Sequence, residues 1–182
     1  MRIETTPLAG LLLITPNVYQ DSRGYFFESY NREFFEAQGL NEDFLQDNES
    51  LSKKGTLRGL HFQAPPFAQG KLVRVVRGIA LDIALDIRKD SSTYGQHYAI
   101  TLSEENHLMF WIPPGFAHGF LAMEDHTLFS YKCTNFYNKE SEGGVLYNDP
   151  ELAIDWRIDE QELLLSPKDE KLAPLADLES PF

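Results

Sequence analysis

The sequence predicts an all-β fold, a sandwich or jelly roll with a few short peripheral helices. Three observations carry this. Short apolar or alternating runs recur along the chain, Gly and Pro punctuate them, and helical periodicity is nearly absent. Leu11–Ile14 opens the series as a wholly apolar run, and Tyr25–Tyr30 follows it. Asn31–Gly39 reads as a short helix, with Asn31 as N-cap and Gly39 as C-cap. Phe44–Leu51, Thr56–Gln63 and Leu72–Arg77 are the next strand candidates, and Gly78 separates the last from Ile79–Ile87. In that run Ile79, Leu81, Ile83, Leu85 and Ile87 share one face, while Ala80, Asp82, Ala84 and Asp86 share the other. Beyond Gly95 come Tyr98–Leu102 and His107–Ile112, then the Pro113-Pro114-Gly115 turn, Gly119–Met123 and Leu128–Thr134. Ser166-Pro167-Lys168-Asp169 reads as a helix start, with Ser at the N-cap and Pro in the first turn.

The 182 residues fit one domain, expected over 1–182, which buries roughly 70% of the surface of the unfolded chain. One cysteine excludes a disulfide framework and a cysteine-rich zinc site, and fits a reducing compartment. Sixteen Lys and Arg against 28 Asp and Glu give a net charge of −12, the wrong sign for a general nucleic-acid binder. A small anionic ligand then requires a local cluster of cations. No stretch approaches the roughly 20 apolar residues that span a bilayer, and the first residues lack an apolar signal core. A cytoplasmic location with no membrane partner is the expectation.

Polar residues embedded in strands carry the possible chemistry. Simple alternation in Thr56–Gln63 sets Arg58, Leu60 and Phe62 on one face and Leu57, Gly59, His61 and Gln63 on the other, unless a bulge at Gly59 resets the count. Lys71 opens the next strand, His118 follows the Pro-Pro-Gly turn, and Tyr131 shares a face with Phe129 and Cys133. Each has a structural alternative. His61 suits a hydrogen-bonded strand histidine, Lys71 and Arg58 solvated charges, and Tyr131 a half-buried core aromatic. Asp169 suits a capping partner of Ser166, and Asp82 and Asp86 a wet sheet face.

The run Pro113-Pro114-Gly115-Phe116-Ala117-His118 resembles the second motif of the cupin superfamily of small jelly-roll barrels. Metal-binding cupins carry a first motif with His-x-His and a following Glu. The matching place here reads His61-Phe62-Gln63, with no Glu before Lys71, so a ligand set cannot be assembled there and no metal is expected.

Over nearly its whole length the chain resembles the dTDP-4-dehydrorhamnose 3,5-epimerase family of cupin enzymes. The resemblance rests on Asp21–Phe26, Gln46-Asp47-Asn48, Leu57–Gln63, Gly70–Val73, Asp86-Ile87-Arg88, Pro113–Phe120, Tyr131–Thr134, Asn148-Asp149-Pro150 and Ser166–Asp169, in that order. Tyr147, before Asn148-Asp149-Pro150, stands where the family usually has Trp, a change that touches packing more than chemistry. The resemblance implies a 4-keto-6-deoxy sugar carried on thymidine diphosphate, inverted at C3 and C5 by proton removal alpha to the ketone. That chemistry needs a base with a pKa of about 7, a donor for the enolate oxygen and an acid across the ring, but no redox cofactor.

The resemblance makes His61 the base, Asp169 its partner, Lys71 the enolate-stabilising cation and Tyr131 the acid. It implies ligand contacts from Arg23, Phe26, Glu28, Gln46, Asn48, Arg58, His118, Tyr137, Glu142 and Lys168. Arg23, Arg58 and Lys168 are suited to a diphosphate, Phe26 and Tyr137 to stacking on thymine, and Glu28 or Gln46 to its polar edges. Asp82 is read either as orienting Lys71 or His118, or as a solvated sheet residue. The resemblance also implies a homodimer in which the N-terminal segment joins the neighbour's sheet and Arg23, Phe26 and Glu28 complete the partner's site. The apolar Leu11–Ile14 run suits burial between subunits. The alternatives are a sibling enzyme inverting one centre or moving the carbonyl, a metal-dependent cupin oxygenase, and a silent sugar-binding cupin.

Overall fold

Alternating runs of this length pair most readily as antiparallel sheets, and the computed structural model, which describes residues 1–182, holds thirteen such strands. In chain order they are β1 (Arg2–Thr5), β2 (Leu12–Thr15), β3 (Tyr19–Asp21), β4 (Gly24–Phe26), β5 (Gln46–Ser52), β6 (Leu57–Gln63) and β7 (Lys71–Arg77). Then follow β8 (Ile79–Asp86), β9 (His97–Ser103), β10 (Met109–Ile112), β11 (Phe116–Ala122), β12 (Thr127–Cys133) and β13 (Glu142–Gly144). One sheet has the order β1-β2-β10-β7-β12-β5, the second β13-β6-β11-β8-β9, and β3 and β4 form a separate hairpin. No helix is long and apolar enough to cross a membrane.

The expected strands are present, with shifted ends and three additions, β1, β3 and β13. Tyr25–Tyr30 is not one strand: only Gly24–Phe26 pairs, against Tyr19–Asp21, and that hairpin is exposed. Helix α1 (Arg32–Ala37) begins where Asn31 Oδ1 accepts from the Phe34 amide at 3.1 Å. Gln38 is its C-cap, and Gly39 follows with φ +83°. The C-terminal segment holds only three 3₁₀ turns, at Glu160–Glu162, Asp169–Lys171 and Leu175–Asp177.

Both faces of β8 are covered. Leu81, Ile83 and Leu85, with Ile87, pack outward under a C-terminal layer of Val145, Tyr147, Leu152 and Trp156. Each such buried side chain contributes roughly 1.5–3 kcal/mol. Trp156 Nε1 donates to the Tyr147 carbonyl at 2.9 Å, so Tyr147 belongs to this layer and to its packing. The opposite row, Ala80, Asp82, Ala84 and Asp86, is wholly buried and faces the six-stranded sheet. The wet-face interpretation of the two aspartates therefore fails. Asp86 accepts from Arg88, Ser91 and Thr93, which hold its pKa at about 2 against the opposing effect of burial. Ala80 and Ala84 join the inter-sheet core with Val75, Phe110 and Phe129.

β2 is apolar on both sides because its own chain covers both. Leu11 and Leu13 join the inter-sheet core with Val73, Phe110 and Phe129, while Ile14 lies under Phe35 of α1 with Met109 and Trp111. Burial between subunits is not needed to explain the Leu11–Ile14 run.

Candidate active site

The space between the sheets holds two adjoining hollows that share His61, Lys71 and Tyr131 as lining residues, of about 270 and 220 Å³. Their geometry begins with a bulge in β6. Against β11, His61 pairs with His118 and Arg58 with Phe120, so Gly59 and Leu60 together oppose Gly119. Gly59 has φ +131°, and a Cβ there would lie 2.5 Å from the Gly119 Cα. Simple alternation is thereby broken. Arg58 and His61 both face the first hollow and Gln63 the second, while Leu57, Leu60 and Phe62 belong to the outer core.

His61 Nε2 meets Asp169 Oδ1 at 2.5 Å, and Asp169 Oδ2 accepts from Ser166 Oγ at 2.8 Å. Ser166 Oγ also accepts from the Asp169 amide at 3.2 Å, so the cap and the dyad coexist. Burial pushes the Asp169 pKa upward, but hydrogen bonds from His61 and Ser166, with the charge of Lys168, hold it below the usual carboxylate value. A carboxylate on Nε2 sets the tautomer and leaves the lone pair on Nδ1.

Lys71 and Tyr131 come from the other sheet, on β7 and β12. Burial lowers the Lys71 pKa, opposed by Cys133, Asp82 and Glu142. Asp82 is bonded elsewhere, to His118, and Glu142 is ion-paired to Lys168. The Tyr131 pKa is raised, first by burial and then by Cys133, with Arg58 opposing, which keeps the phenol protonated. His118 Nε2 lies 2.9 Å from Asp82 Oδ2, and both side chains are buried. Burial lowers the His118 pKa, although Asp82 works against it. Phe120 and Phe129 stack at 4.0 Å in the wall of the first hollow.

The second hollow takes Gln46, Asn48, Tyr137 and Glu142. Glu142 Oε2 pairs with Lys168 at 2.7 Å and accepts from the Tyr137 hydroxyl at 3.1 Å. Those two partners and His61 lower the Glu142 pKa against the effect of burial.

The expected Gln46, Asn48, Arg58, His61, Lys71, His118, Tyr131, Tyr137, Glu142, Lys168 and Asp169 thus line one continuous region. Arg23, Phe26 and Glu28 line neither hollow. Arg23 is bonded to Asp21 at 2.6 Å, Phe26 is 66% exposed, and Glu28 accepts from Asn31 at 3.2 Å. Sequence reasoning missed Ser50, whose buried Oγ has no hydrogen-bond partner, and Gln63, whose amide clamps the Phe67 and Phe136 carbonyls. Strand alternation carried the signal for both: Ser50 follows Gln46 and Asn48 at the same spacing, and Gln63 follows His61. No group of three or more His, Cys, Asp and Glu side chains is arranged to hold a metal ion. The arrangement supplies an oriented imidazole, an ammonium and a phenol around one hollow, the set for moving a proton beside a carbonyl.

Comparison with known proteins agrees with that chemistry. The family model for dTDP-4-dehydrorhamnose 3,5-epimerase matches residues 5–177. An enzyme of that name from Methanothermobacter thermautotrophicus is 48% identical over 177 residues, 97% of this chain and 95% of the relative. The crystal structure of dTDP-4-dehydrorhamnose 3,5-epimerase from Elizabethkingia anophelis superposes with a TM-score of 0.93 at 49% identity, covering 99% of this chain and 98% of the other. A Legionella pneumophila 3,5-epimerase in complex with dTDP-4-keto-L-rhamnose gives a TM-score of 0.94 at 46% identity, over 98% of this chain and 94% of that one.

Proposed function

The chain belongs to the dTDP-4-dehydrorhamnose 3,5-epimerase family, and from that premise we propose how its residues invert C3 and C5 of dTDP-4-dehydro-6-deoxy-D-glucose. The protein is an isomerase, an epimerase of dTDP-rhamnose biosynthesis. One observation supports the residue roles most directly: the imidazole and the phenol come from opposite sheets and line the same hollow. Inversion requires that a proton leave one face of the ring and another arrive on the opposite face.

His61 Nδ1 takes the proton alpha to the C4 ketone, and the electron pair of the broken C–H bond moves into the enolate. The imidazolium that forms is stabilised by Asp169. The enolate oxygen lies toward the Lys71 ammonium, whose desolvation strengthens its field there. The Tyr131 hydroxyl then donates a proton to the same carbon from the far side; its phenolate recovers a proton from solvent and the His61 imidazolium releases one, which restores the site for the second centre. Neither step calls on a metal or a redox cofactor. Arg58 and Lys168 hold the diphosphate.

The test is solvent-isotope exchange. Incubation with the 4-keto-6-deoxy-glucose nucleotide in heavy water places deuterium at both C3 and C5, read by NMR. Label at one carbon selects the single-centre sibling, and its complete absence overturns the mechanism.

The assembly belongs to the same proposal. The β3–β4 hairpin exposes Tyr19, Tyr25 and Phe26, and the chain's own cavity lacks Arg23, Phe26 and Glu28. A homodimer that delivers these three side chains to the partner's cavity accounts for both facts. A monomeric mass by light scattering at micromolar concentration contradicts it. We place the enzyme in the cytoplasm, a reducing compartment that suits its one free cysteine.

Asp82 orients His118 in this scheme, since its two carboxylate oxygens lie 2.9 and 3.1 Å from Nε2. Asp82→Asn is expected to lower turnover about tenfold, the scale of one charge-assisted hydrogen bond. Unchanged turnover removes Asp82 from the mechanism.

A further inference from the structure

We propose that Cys133 is a positioning residue: it closes a one-way hydrogen-bond chain that aims the side-chain amides of Asn48 and Gln46 at the nucleotide part of the ligand. The inference rests on the nucleotide-sugar reading of the cavity and extends it to a residue with no assigned part in that reading.

The chain starts from the main chain. The Tyr137 amide donates to Gln46 Oε1 at 2.9 Å, Gln46 Nε2 donates to Asn48 Oδ1 at 3.0 Å, and Asn48 Nδ2 donates to Cys133 Sγ at 3.5 Å. A backbone N–H only donates, so the oxygen of Gln46 must face Tyr137 and its nitrogen must face Asn48. The same logic turns the Asn48 nitrogen toward Cys133. Direction is thus imposed at one end, and the far end needs an acceptor. Cys133 supplies it from a buried position, next to Gln46 on β5 and Lys71 on β7 in the ladder. Burial, only partly opposed by Lys71, raises the pKa of the thiol and keeps it neutral, a sulfur that accepts weakly and adds no charge beside the ammonium.

Each amide uses one of its two N–H groups within the chain. The second N–H of Asn48 and of Gln46 is then left for the hollow that both residues line. Two donors held in this way suit acceptor oxygens, found on a diphosphate and on pyrimidine carbonyls alike. Without the sulfur, Asn48 keeps its bond to Gln46 but loses the contact that fixes the plane of its amide. The cost falls on binding, because neither amide touches the reacting carbons.

The experiment compares the full-length protein with Cys133→Val, which fills the space without an acceptor, and Cys133→Ser, which restores one. Calorimetric titration with dTDP is expected to show affinity lowered roughly three- to tenfold in Cys133→Val and within about twofold of the parent in Cys133→Ser. KM follows the same order while kcat stays level. The side-chain amide signals of Asn48 in the free protein are expected to shift in Cys133→Val and return in Cys133→Ser. A parallel titration with pyrophosphate supports the proposal in either of two ways: matching loss assigns the donors to the diphosphate, and loss confined to dTDP assigns them to the base. Full affinity in Cys133→Val, equal loss in both variants, or a fall in kcat at constant KM overturns it. Failure of the parent protein to bind dTDP overturns the nucleotide-sugar reading together with this one.

Discussion

His61→Ala is expected to abolish deuterium incorporation at both ring carbons and to cut turnover by about a thousandfold or more, the scale of a lost general base, ~4 kcal/mol. The imidazole is held at 2.5 Å by a buried carboxylate that Ser166 anchors from behind; the other imidazole of the cavity, His118, is bonded through Nε2 to buried Asp82 at 2.9 Å, with no such hydroxyl behind the carboxylate. Asp169→Asn tests the same unit from the other side. It leaves a ring-facing group in place but removes the charge that stabilises the imidazolium, so incorporation falls with nucleotide affinity unchanged. The pH dependence has a definite sign. The folded pKa of Asp169 lies below its ordinary 3.8, so the stability it adds is whole above that value and is lost as pH falls through the depressed one. The stability difference between the parent and Asp169→Asn therefore narrows in acid, as thermal melts over a pH series will read. Retention of label in His61→Ala would return the base to another residue.

Tyr131→Phe is expected to separate two events that the native enzyme couples. Deuterium still enters, because His61 still removes and returns a proton on its own face. Inverted product falls by about a hundredfold, since the donor on the far side is gone. The phenyl ring keeps its place beside Phe129, at a centroid separation of 6.2 Å in the native side chain, so the cavity wall survives the change. NMR of the recovered sugar gives both quantities from one sample. Equal loss of label and of inversion would place Tyr131 in binding and not in proton delivery.

Much of this was legible in the residues, for reasons that differ from strand to strand. The nine alternating residues of Ile79–Ile87 announced a strand with unlike faces. They did not say which face looked inward, because that depends on a C-terminal layer drawn from Val145, Tyr147, Leu152 and Trp156, far along the chain. The partnership of His61 with Asp169 spans 108 positions and no periodicity encodes it. Here the family resemblance supplied what spacing does not. Arg58 and His61 share a face only because of the bulge at Gly59, and two-residue counting separates them. Cys133 was visible as a strand neighbour of Tyr131, but its bond to Asn48 depends on a register that the sequence does not display.

Gly59 and Gly119 press backbone against backbone: a methyl on Gly119 would meet the Arg58 carbonyl at 2.8 Å, as one on Gly59 would meet Gly119. In a library of every single substitution, both positions score as dead, in the company of His61 and Tyr131, although neither glycine has an atom to lend to the reaction. Yield of soluble protein tells the two kinds of silence apart, since variants at the histidine and tyrosine accumulate normally while those at either glycine do not.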